Sequence, residues 1–77
     1  MSNVIRLRVP PRAELNGGVI SRGPDAGKQW YFVDYIDEEG YKLGVWDGPS
    51  YDDACGELSR WRQDGVQTFD LLREALS

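Results

Sequence analysis

Acid–base and metal chemistry at neutral pH draw first on histidine, and this sequence of 77 residues has none. Its one cysteine, Cys55, cannot close an intramolecular disulfide and has no histidine to activate it as a nucleophile. A structural zinc site needs about four nitrogen or sulfur ligands, so it is excluded. Ser-His-Asp and Cys-His devices are excluded for the same reason. No glycine-rich loop ends in Gly-Lys-Ser/Thr, and the pair Gly17-Gly18 reads as a turn rather than a phosphate cradle. The acids Asp37-Glu38-Glu39 and Asp52-Asp53 lack the Asp-x-Asp-x-Asp-Gly spacing of a calcium loop, and read as turn and cap residues. Carboxylates alone remain for catalysis, in a chain with little interior for a deep pocket. The expectation is a non-enzymatic protein with no metal and no cofactor.

What the residue types do support is binding. Residues 1–28 carry Arg6, Arg8, Arg12, Arg22 and Lys28 against Glu14 and Asp25, a balance of +3. Residues 29–77 carry Lys42, Arg60, Arg62 and Arg73 against eleven acids, a balance of −7. The acids are densest from Asp34 to Glu57, where Lys42 is the one opposing charge. Such a field repels a phosphate backbone and attracts basic surfaces over roughly one Debye length, about 8–10 Å. Seven of the nine aromatic residues fall in nearly the same stretch, between Trp30 and Tyr51. Aromatic rings rimmed by carboxylates have the composition of a protein–protein hot spot. Tyr35, Asp37, Glu38, Glu39, Tyr41, Trp46 and Asp47 are therefore the candidate partner-binding residues. The competing candidate is a nucleic-acid arm of Arg6, Arg8 and Arg12, thin for that purpose in a chain that otherwise repels DNA.

These residues need elements to position them. Val4 to Val9 alternate, with Ile5, Leu7 and Val9 opposite Arg6 and Arg8, which predicts a strand over 3–9 that Pro10-Pro11 ends. Residues 10–27 hold three of the four prolines together with Gly17, Gly18, Gly23 and Gly27, and read as loop with a brief extended piece at Val19-Ile20. Residues 28–36 are dense in aromatic and β-branched types and predict a strand. Asp37 to Gly40 form a tight turn, and 41–47 return as the second strand of the hairpin. Tyr41, Leu43 and Val45 would form one row, with Lys42, Gly44 and Trp46 behind. Either Tyr31, Tyr35 and Tyr41 or Trp30, Phe32 and Trp46 then face the next element.

That element is a helix over 51–64. Gly48-Pro49 stops the strand and Ser50 caps. Tyr51, Ala54, Cys55, Leu58 and Trp61 form one apolar stripe, and Gly65 terminates. Gly56 falls on the polar face with no packing reason. In the tail, Val66 to Leu71 alternate as a third strand beside the hairpin, while Phe69, Leu72, Ala75 and Leu76 keep helical spacing, so strand and helix both stay open. The predicted fold is α+β, a small two-layer domain. An antiparallel sheet, the hairpin 28–36/41–47 plus one or two further strands, is packed by one helix in the order (β)ββαβ. Residues 1–27 form a basic Pro/Gly-rich segment with one edge strand, and 28–77 the compact acidic domain.

The strand, then Leu43-Gly44-Val45-Trp46-Asp47, then a helix opening Ser50-Tyr51-Asp52-Asp53-Ala54, resembles the hairpin-plus-helix region of small three-stranded DNA-binding domains in plant transcription factors and recombinase arms, over about residues 28–62. The resemblance implies a topology. It does not extend to the DNA contacts, since the strands carry Asp34, Asp37 and Asp47 where that family presents arginines, with only Lys28 and Lys42.

No apolar run approaches the roughly 18 residues of a membrane span, and the N-terminus lacks a signal-peptide stretch. With a single cysteine, a reducing cytoplasm is the expected compartment. The functional expectation is an acidic inhibitor or adaptor, of a size and charge that suit a phage or mobile-element product, occupying a basic surface of a partner protein. The alternatives are a degenerate DNA-binding domain using the N-terminal arginines and an assembly subunit of an enzyme. A homodimer through an exposed sheet face or edge stays open.

Overall fold

The structure is a computed structural model that describes residues 9–76. The strand expected over 3–9, with Arg6 and Arg8, lies outside the described residues except for Val9, which belongs to no strand. The elements are β1 (Arg12–Val19), β2 (Gln29–Ile36), β3 (Lys42–Gly48), α1 (Tyr51–Gln63), β4 (Gln67–Asp70) and α2 (Leu71–Leu76). The four strands form one mixed sheet in the order β3-β2-β1-β4, and the helices pack on it as a second layer. This is the expected small α+β domain, but the sheet is mixed rather than antiparallel, because β4 joins it parallel to β1 rather than beside the hairpin.

The largest correction is β1. Residues 10–27 are not mainly loop, because Arg12–Val19 form an inner strand paired antiparallel with Gln29–Ile36. On its helix-facing side Ala13 and Leu15 are fully buried, while Val19 at the strand end is 64% exposed. Two small or medium side chains between Arg12, Glu14 and Asn16 make a faint alternation, and Gly17-Gly18 then looks like punctuation. Gly17 is instead a contact residue. A Cβ there would lie 3.0 Å from the Leu72 side chain and 3.2 Å from the Trp30 carbonyl. The glycine lets α2 close over the strand.

The hairpin β2–β3 is as expected, with its turn closed by Gly40 at φ 91°. Its rows are not. A bulge beside Val33 and Asp34 sets Trp46 opposite Val33, Gly44 opposite Asp34 and Leu43 opposite Tyr35. The extra residue, Val45, shifts the alternation, so Leu43 and Trp46 share the face of Tyr31, Val33 and Tyr35. The predicted row of Lys42, Gly44 and Trp46 is thereby broken. The two alternative aromatic sets are also mixed, since Trp46 joins the tyrosines.

The helix-covered face holds the core: Ala13 and Leu15 from β1, Val33 from β2, and Ala54 and Leu58 from α1. Tyr31, Trp46, Cys55, Trp61 and Leu72 pack around it, half-buried. Ile36 is buried too, but on the opposite face and outside this cluster. α1 begins where its sequence says it should. The Ser50 hydroxyl accepts from the Asp53 amide at 3.2 Å, and Asp52 and Asp53 lie against the positive helix end. It ends in a Schellman arrangement, with Val66 N–H on the Trp61 carbonyl and Gly65 at φ 87°. The tail is both strand and helix. Asp70 divides them, its Oδ1 accepting from the amides of Leu72 and Arg73 at 3.1 and 3.0 Å to start α2.

Candidate partner-binding site

The seven candidate residues separate into three environments. Tyr35 and Trp46 are structural. The Tyr35 ring stacks on Trp61 at 5.0 Å between centroids, which ties β2 to the last turn of α1. Trp46 packs on the core cluster and lies close over Gly48, where a Cβ would come within 2.9 Å of the indole. Asp37 builds the turn: its Oδ1 accepts from the amides of both Glu39 and Tyr41 at 2.9 Å. All three are half-buried.

Glu38, Glu39 and Tyr41 are exposed at the tip of the hairpin. Tyr41, just before β3, is 71% exposed, and Leu43, two residues further on, is 63% exposed. Glu38 and Glu39 make no ion pair among the described residues, whose salt bridges are Arg12–Glu14, Lys28–Asp25 and Arg60–Glu57. The tip therefore presents two free carboxylates beside two large apolar side chains. Leu43 shares the predicted row of Tyr41, but nothing local marks an apolar strand residue as one the helices leave uncovered.

Asp47 belongs to a different surface. It lies on the sheet face opposite the helices, where Trp30 Nε1 donates to its Oδ2 at 2.9 Å. Cross-strand pairing sets Phe32 beside Asp47 and Asp34 beside Gly44 and Glu14. Phe32, Asp34, Gly44, Val45, Trp46 and Asp47 line a shallow groove there. Phe32 and Asp34 lay in the acidic–aromatic stretch but could not be placed until one face was known to be covered.

The alternative nucleic-acid arm retains one described member. Arg12 stands in β1, its Nε donating to Glu14 at 2.9 Å, so its charge is already matched. No three metal-ligating side chains converge among the described residues. No helix among them is long and apolar enough to cross a membrane.

The remaining polar constellation joins two elements. The Tyr51 hydroxyl donates a short hydrogen bond to Asp70 Oδ2, and the Tyr51 ring meets Tyr31 at 5.6 Å. The bond to Asp70 holds the phenol well above its ordinary pKa of 10.0, because ionisation would set phenolate against carboxylate. The adjacent Cys55 thiol adds to the shift. The pair clamps the start of α1 to the end of β4. Comparison of the chain with protein-family models, with curated proteins and with solved structures finds no match.

Proposed function

We propose that the chain is a non-enzymatic protein-binding module, an acidic inhibitor or adaptor that occupies a basic surface of a partner protein in the cytoplasm. The observation that carries this reading is the hairpin tip, where Glu38 and Glu39 stand without counter-charges beside the exposed Tyr41 and Leu43. Free carboxylates accelerate encounter with a basic surface, and a large ring beside them anchors it at little cost in side-chain entropy. The net charge of −4 works in the same direction. The single thiol, Cys55, is half-buried on the core side of α1, which suits a reducing compartment.

The test is capture from an extract of the source cell, with the full chain as bait. A basic protein should be retained at low salt, released as salt rises, and lost on Glu38→Lys/Glu39→Lys. Retention that ignores both salt and the double variant would remove the tip from the site. A random DNA duplex shifted in a gel at low ionic strength would favour the nucleic-acid alternative instead.

A further inference from the structure

We infer that the helix-free face of the sheet carries a seat for an arginine side chain of the partner protein, in the notch over Gly44 between Phe32, Asp34 and Asp47. The inference rests on the protein-binding reading above and specifies what the partner must present.

The first observation is Asp34. It is half-buried on a strand interior, and its carboxylate meets no cation and no hydrogen-bond donor among the described residues. Its oxygens are left to accept from a ligand, and a cation brought by one would find a charge-assisted partner there. The second observation is Asp47. Trp30 Nε1 holds its Oδ2, which orients the carboxylate and leaves Oδ1 to accept from a ligand. Phe32 stands directly across from Asp47 and two residues before Asp34, and is 37% exposed. Two carboxylates beside an open aromatic ring suit a guanidinium. It is planar, stacks on rings, is weakly hydrated and offers donors in several directions at once. An ammonium would have to shed a stronger hydration shell for fewer contacts.

The third observation is the glycine itself. Gly44 is not in the left-handed region, and a Cβ built on it would touch only Asp34 Oδ1, at an ordinary 3.7 Å. Neither the backbone nor the packing of this chain requires glycine there, and glycine within a strand lowers stability. What its missing side chain does is keep the notch open between the two acids.

The experiment is an NMR titration of the full chain, at low salt, with two short capped peptides, Gly-Arg-Gly-Arg-Gly and its lysine counterpart. The arginine peptide should shift the Phe32, Asp34, Gly44 and Asp47 amides saturably, and the lysine peptide should bind at least about fivefold more weakly. Gly44→Thr should fill the notch and abolish the shifts while the thermal melt stays cooperative. Gly44→Ala serves if threonine perturbs the strand, and Asp34→Asn should abolish them as well. Equal binding of the two peptides, shifts confined to Glu38 and Glu39, or no shifts at all would each overturn the seat. Partner capture distinguishes this from failure of the wider reading. A seat that fails while Glu38→Lys/Glu39→Lys still abolishes capture leaves the tip standing.

Discussion

At the scale of the residue, three adjacent acids of similar appearance do different work. Asp37 accepts two backbone amides and so closes the turn, whereas Glu38 and Glu39 point into solvent. Asp37→Ala should therefore cost about 1.5–3 kcal/mol, the net worth of hydrogen bonding to a charged acceptor. Glu38→Lys/Glu39→Lys should leave the melt nearly unchanged, because exposed charges contribute little to stability. Urea titrations of the two variants check the contrast, and equal losses would contradict it. Tyr51 supplies a pH dependence. Its folded pKa is raised by the bond to Asp70, so its contribution is complete below the unfolded value of about 10 and is lost as pH rises further. Stability should fall on moving from about pH 9 to about pH 11, and more gently in Tyr51→Phe. An absorbance titration should find one of the four tyrosines ionising last, and the late step should vanish in that variant.

At the scale of the element, α1 is anchored by one large aliphatic side chain. Leu58 is 5% exposed within the core cluster, and Leu58→Ala should cost about 2–5 kcal/mol. For a domain this small that is most of the expected stability, so the variant should lose its cooperative melt at physiological temperature. Gly56, on the outer side of the same helix, has nothing within 4 Å of where a Cβ would stand. Gly56→Ala should accordingly gain about 1 kcal/mol by helix propensity alone, read as a higher melting temperature. In β1 the paired glycines behave oppositely. A side chain at Gly17 would press on Leu72 and a backbone carbonyl, while Gly18 has open space. Gly17→Ala should destabilise by about 1–3 kcal/mol through overpacking, and Gly18→Ala should be neutral or better.

At the scale of the molecule, β1 holds the sheet together. It pairs along its whole length with β2 and over Arg12–Leu15 with β4, so the amides of Ala13 to Leu15 sit between two neighbours. Hydrogen exchange should find them among the slowest in the protein, alongside β2. Exchange as fast as that of residues 21–27 would place the stable core elsewhere. The same arrangement gives the sheet its two unlike faces. One is closed by α1 and by Leu72 of α2, and the other, which neither helix covers, carries Trp30, Phe32, Asp34 and Asp47.

The hairpin 29–36/42–48, its turn and α1 were legible in the chain itself, because each is specified by contiguous residues. Aromatic and β-branched runs mark the strands, Asp37 and Gly40 the turn, and Ser50, the apolar stripe and Gly65 the helix. The acidic character of the hairpin and of the start of α1 was legible too, since charge is summed along the chain without reference to folding. Three things were decided only in three dimensions. β1 rests on Ala13, Leu15 and a glycine whose reason is Leu72, more than fifty positions away, and no local pattern carries that. The bulge at Val45 reverses which side Trp46 takes, because one extra residue changes a period-two assignment for everything beyond it. Which face stayed open, and hence that Phe32 and Asp34 join Asp47 while Tyr35 and Trp46 are used for packing, depended on which side α1 covered. Periodicity can say that two faces differ. Only the packed helix decides which one is covered.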